Sequence, residues 1–174
     1  FVIRDLLDVI VSLARQGHTE AIQQLRDNYI NKTNETSKYL RAVILEAMRY
    51  LPNIDIQDWE FIVKLALEGQ SDIERLKATE TWLYLGDIAK QFENEETLKS
   101  ISKLLENSNE LNSRLKKNYI LILGLHDPEK LANLPNIEDL YKTQDYLISD
   151  SCKLVLNGKV SAIFEQDEPA IIRS

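Results

Sequence analysis

Two histidines, one cysteine and two acidic clusters are the side chains from which a reaction centre in this chain would have to be assembled. A metal site would need His18 and His126 to converge with carboxylates. Each follows an apolar helical stretch at an inter-helix joint, and those joints are expected to lie apart, so turn and capping roles are the reading. Cys152 occupies an apolar helical position beside Ile148 and Val155, with no histidine close in sequence, and reads as a buried structural thiol. Glu93, Glu95 and Glu96 form one acidic cluster, and Glu165, Asp167 and Glu168 the other. Paired carboxylates divide acid and base roles when their surroundings split their pKa values. Both clusters sit in polar, turn-like stretches, where solvation is the default and Glu95 and Glu96 stabilise a helix start. No glycine-rich phosphate loop, zinc-type His-Glu pair or serine-centred elbow occurs. No metal, cofactor or catalytic residue is therefore expected.

Binding residues are easier to nominate. Arg41, Arg75, Lys77, Arg114, Lys116 and Lys117 recur near the starts of long apolar helices. Aligned along one edge, they would form a basic ladder for phosphates or an acidic peptide. The competing reading pairs them with Glu46, Glu74 and Glu80 on solvated faces, where ion pairs contribute little. Trp59, near the start of its helix, is expected to be half exposed as an aromatic anchor for a partner, and Trp82 to be core.

The elements that must carry these residues are helices. The 174 residues are 44% hydrophobic and 28% charged, with only 5 Gly and 4 Pro, too few for the turns of a sheet-rich fold. A net charge of −7 argues against nucleic acid and against anionic membranes, and no apolar run is long enough to span a bilayer. A lone cysteine excludes an internal disulfide and points to a reduced, cytoplasmic compartment. Asn31-Lys32-Thr33 and Asn34-Glu35-Thr36 match the glycosylation acceptor pattern but read as a polar turn. The chain starts at Phe1 and its sole methionine is Met48, so an excised part of a larger protein is expected, whose other domains could hold an activity.

Apolar residues recur at three-four spacing almost throughout. A first helix ends at Gln16-Gly17, and a second follows from His18-Thr19-Glu20. A third carries Leu40, Val43, Ile44, Ala47, Met48 and Leu51, and Pro52 stops it. Asp55 or Asp58 caps the next, which closes at Glu68-Gly69. Ser71 with Glu74 is a capping box for a helix expected to run toward Phe92, its wide stripe covered on two sides. Asn94 caps a helix through Leu105, and Leu111 to Leu123 mark another. Asp127-Pro128-Glu129 restarts a short one before Pro135. Asn136 opens an expected long last helix ending at Asn157-Gly158. A helical domain, 1–158, is thus expected to precede a tail or cap, 159–174, in which Val160, Ile163 and Phe164 suit a short extended segment.

Three segments superpose: Tyr39-Leu40-Arg41-Ala42, Arg75-Leu76-Lys77-Ala78 and Arg114-Leu115-Lys116-Lys117, with their leucines 36 (76 − 40) and 39 (115 − 76) residues apart. A period of this size with two helices per unit marks stacked helix pairs. The joint Leu123-Gly124-Leu125-His126-Asp127-Pro128-Glu129-Lys130-Leu131 resembles that of HEAT/armadillo-like repeats, as does Leu13-Ala14-Arg15-Gln16-Gly17-His18-Thr19-Glu20-Ala21. Over residues 3–157 the resemblance implies an all-α solenoid of about four stacked antiparallel helix pairs, with a groove that binds proteins. The expected function is a non-enzymatic interaction or scaffold module for a protein partner or acidic peptide. The alternative is a HEAT-like enzyme or subunit, similar to the alkylpurine DNA glycosylases or the phycobilin lyases, although the net charge of −7 counts against the first.

Overall fold

A computed structural model describes residues 2–28, 38–51 and 53–157. The polar turn at 31–35, Pro52, the tail at 159–174 and its acidic cluster Glu165, Asp167 and Glu168 lie outside the described residues. Every regular element described is helical, and the described residues fall into two compact units, 1–94 and 95–174.

The first unit contains α1 (Val2–Arg15), α2 (Thr19–Asn28), α3 (Lys38–Met48), α4 (Ile56–Glu68), α5 (Asp72–Leu85) and the short α6 (Asp87–Lys90). Local chemistry sets the boundaries. Gly17 adopts φ 85°, the left-handed conformation that ends α1 after its last basic residue, Arg15. Asp55 caps α4 reciprocally with Asp58, each side chain accepting from the other's backbone N–H. Ser71 caps α5 by accepting from the Glu74 N–H. The expected run of α5 to Phe92 is overturned. Gly86, at φ 53°, stops the helix after Leu85, and α6 follows as a separate turn.

Within this unit α3 packs against both α1 and α5, α1 against α2, and α4 against α5. The α5 stripe is therefore covered from two sides, as its width implies. Its core residues share a period that simple superposition of the leucines misses. Ile10, Ile44 and Ala78 are buried 34 residues apart (44 − 10 and 78 − 44), and so are Val11, Leu45 and Thr79. Ala14, Met48 and Trp82 follow at the same interval. Helices α1, α3 and α5 thus turn equivalent faces into the core.

The second unit contains α7 (Glu95–Glu106), a 3-10 turn (Ser108–Glu110), α8 (Ser113–His126), α9 (Pro128–Ala132), α10 (Ile137–Lys142) and α11 (Tyr146–Leu156). Helix α8 is central and packs on α7, α9 and α11. Asn112 caps α8 through the Leu115 N–H. Asp127 caps α9 with Pro128 in the first turn, the restart that its sequence requires. The single long helix expected from Asn136 is instead two. Asp145 accepts from the Leu147 N–H and donates its own N–H to the Thr143 hydroxyl, which starts α11 afresh. Gly124 lets α8 approach α11 closely, since a Cβ there would sit 2.4 Å from Val155 Cγ2.

Candidate functional site

The nominated basic residues are placed unequally. Arg41, at the start of α3, donates from Nη2 to Glu74 Oε1 at 2.6 Å, and Glu74 is 1% exposed. Glu74 also accepts from the Gln70 N–H, so this carboxylate joins α3 to the start of α5. Arg75 pairs with Asp72 one helical turn away at 2.5 Å. Lys77 lies 3.7 Å from Glu46 and 3.8 Å from Glu80. In the first unit these three cations are thus engaged with carboxylates, two of them across the α3–α5 contact. Arg114, Lys116 and Lys117 lie in the first turns of α8 in the second unit.

Trp59 is corrected. It is 5% exposed, edge-on to Trp82 at 4.9 Å and stacked on Phe92 at 5.6 Å. Being near a helix start does not expose it, because the segment after Gly86 brings Phe92 over its face. Trp82 is core, as expected.

A different surface gathers the residue types common at protein interfaces. The Arg15 guanidinium lies 4.5 Å from the Tyr50 ring centroid, and that of Arg49 lies 5.8 Å from the Tyr84 ring. These contacts are one contact repeated: Arg49 and Tyr84 each follow Arg15 and Tyr50 by 34 residues (49 − 15 and 84 − 50). The two tyrosines meet at 5.8 Å, which joins the contacts into one row. Arg49 is further fixed by Thr81 Oγ1 at 3.2 Å and Glu80 at 3.4 Å, while Tyr50 is 37% and Tyr84 58% exposed. The row crosses the carboxyl ends of α1, α3 and α5, where cations also complement the helix dipoles. With Arg41–Glu74 at the amino ends of α3 and α5, it makes those two helices parallel. Neither member of the repeated Arg–Tyr pair was nominated from the sequence; the 34-residue spacing was the available signal.

In the second unit Lys130 Nζ donates to Glu95 at 2.6 Å beside an open cleft of about 430 Å³ that also presents Lys99, Lys103 and Asp127. The hydrogen bond to Glu95 raises the Lys130 pKa, partly opposed by burial, with Glu95 and Asp127 charges adding to the rise. Its mixed charge suits a solvated surface more than a ligand site. Cys152 is fully buried, and burial pushes its thiol up to about 12. His18 is exposed in the α1–α2 joint and His126 ends α8. Among the described residues no group of three or more metal-ligating side chains converges, and no helix is long and apolar enough to cross a membrane.

The described residues define an all-helical protein with a repeated helix register in its first unit. No family model, curated protein or solved structure matches the chain.

Proposed function

We propose that this chain is a non-enzymatic interaction module of stacked helix pairs, which binds an acidic segment of a protein partner. The observation that supports it is the repeated Arg–Tyr contact of Arg15 with Tyr50 and Arg49 with Tyr84, displayed at equivalent positions of α1, α3 and α5. A register shared by alternate helices is what stacking of helix pairs produces. Tyrosine and arginine are enriched among residues that dominate binding energy, since each combines large apolar area with directed polar groups. Arg15, at the rim of the row, offers a guanidinium to a carboxylate. This reading puts the binding surface at the carboxyl ends of the long helices of the first unit, while Arg41, Arg75 and Lys77 nearer their amino ends lie against carboxylates.

The test is affinity capture from native extract with three forms of the chain. Loss of the captured partner in Tyr50→Ala/Tyr84→Ala, with retention in Arg75→Ala/Arg114→Ala, supports the row. The opposite pattern restores the basic ladder and removes the row.

A further inference from the structure

The two arginines of the Arg–Tyr row are not equivalent. Arg49 spends one edge of its guanidinium inside the chain: Nε donates to Thr81 Oγ1 at 3.2 Å and Nη2 to Glu80 Oε2 at 3.4 Å. One period of 34 residues earlier stand the groups that would do the same for Arg15. The place of Thr81 is taken by Ala47 (81 − 34), which is buried and has no hydroxyl. The place of Glu80 is taken by Glu46 (80 − 34), whose Oε2 is turned to Lys77 Nζ at 3.7 Å. Among the described residues no carboxylate, hydroxyl or carbonyl therefore takes the Arg15 guanidinium. It is exposed and lies over the Tyr50 ring, 4.5 Å from the centroid. Stacking of this kind uses the flat face of the guanidinium and leaves its in-plane N–H donors open.

We propose that Arg15 alone reads the acidic residue of the partner, holding the carboxylate of one aspartate or glutamate side chain bidentately on its Nε–Nη2 edge. The proposal rests on the row being the binding surface. The incoming carboxylate does for Arg15 what Thr81 and Glu80 together do for Arg49. Two oxygens of one planar group match that edge in geometry as well as charge. A long acidic tract is disfavoured, because a chain of net charge −7 repels it, so the fork and not bulk charge selects the ligand. Arg49, its edge already occupied, is a positioning residue that holds the Tyr84 ring. The row runs from Arg15 through Tyr50 to Tyr84, so the partner residues on one side of the carboxylate meet rings, which suits apolar or planar side chains.

The probe is a short peptide of glycine and serine with one glutamate beside one tyrosine, acetylated and amidated so that the side chain holds its only carboxylate. It is titrated into the full 174-residue chain with isotopically labelled arginine side chains. A saturable shift of the Arg15 Nε–H signal is expected. Affinity should fall about tenfold in Arg15→Lys, which keeps the charge, loses the fork and, at an exposed site, leaves the fold intact. A peptide with glutamine in place of glutamate should bind about tenfold more weakly as well. An unmoved Arg15 signal, or full affinity in Arg15→Lys, overturns the proposal. So does equal binding of a glutamine peptide with a free carboxyl end, which would make a chain terminus the ligand. Affinity capture keeps this proposal apart from the reading it rests on. A partner lost in Tyr50→Ala/Tyr84→Ala but kept in Arg15→Lys removes the role of Arg15 and leaves the row. A partner kept in the tyrosine variant removes the row, and this proposal with it.

Discussion

Glu74 and Arg41 are joined by a 2.6 Å hydrogen-bonded ion pair across 33 residues of chain, with the carboxylate 1% exposed and the guanidinium side chain 15% exposed. Removing one partner of such a pair strands a buried charge, which costs about 3–5 kcal/mol, whereas replacing both with apolar groups is far less costly. Arg41→Met is therefore expected to destabilise the chain more than Arg41→Met/Glu74→Met in urea unfolding. Equal or reversed losses would show that Glu74 is not held by Arg41.

Trp59 and Tyr84 are both aromatic residues of the first unit, but only the first is core. Trp59→Ala removes the partner of Trp82 and Phe92 and is expected to cost about 3–5 kcal/mol. Tyr84→Ala, at a site 58% exposed, should leave unfolding within about 1 kcal/mol of the parent. Thermal melts of the two variants check the contrast, and comparable losses would contradict the burial assigned to Trp59.

Gly124 faces Val155 with no room for a methyl group. Gly124→Ala is expected to destabilise by about 1–3 kcal/mol through overpacking of α8 on α11. Adding Val155→Ala should return part of that loss, because it removes the two methyl carbons the new Cβ would strike. A double variant less stable than the sum of the singles would refute the close approach.

Cys152 carries a pH signature. Burial raises its thiol from 9.0 to about 12, with the Lys153 charge pulling slightly the other way. Between those values the folded chain holds a proton that the unfolded chain has lost, so stability falls as pH rises through this window. The contribution is fully present below about pH 9 and lost toward pH 12. The parent is expected to lose more stability over this interval than Cys152→Ala, and at pH 8 its thiol should react with a disulfide reagent only after denaturant is added. Rapid modification of the native chain would contradict burial.

Phosphate-driven binding is not expected from a chain of net charge −7 whose Arg41, Arg75 and Lys77 face carboxylates. A gel shift with duplex DNA should show no complex even at about 50 mM salt, where counterion release most favours association. A salt-sensitive complex would reopen the glycosylase-like alternative.

Much of this chain could be read from residues within a few positions of one another. The apolar spacing of Ile10, Ala14, Ile44 and Met48, the Asp55 and Ser71 caps and the Asp127-Pro128 restart are interactions inside one or two helical turns. Residue type therefore determines them directly. Burial of Cys152 and Trp82 follows from the same periodicity. The breaks at Gly86 and at Thr143–Asp145 also had local signals, a glycine and a capping aspartate, but the apolar stripes continue across both and masked them.

Helix content, most caps and the inward faces of the long helices are therefore legible from residue order alone, because hydrogen bonds and side-chain periods act over three or four residues. The 34-residue register, the pairing of Arg41 with Glu74, the cover that Phe92 places on Trp59 and the row from Arg15 to Tyr84 arise from helix packing instead. Each of those joins residues about thirty positions apart. At that range a lone charge or ring is compatible with many partners, and it is the packing of whole helices that selects one.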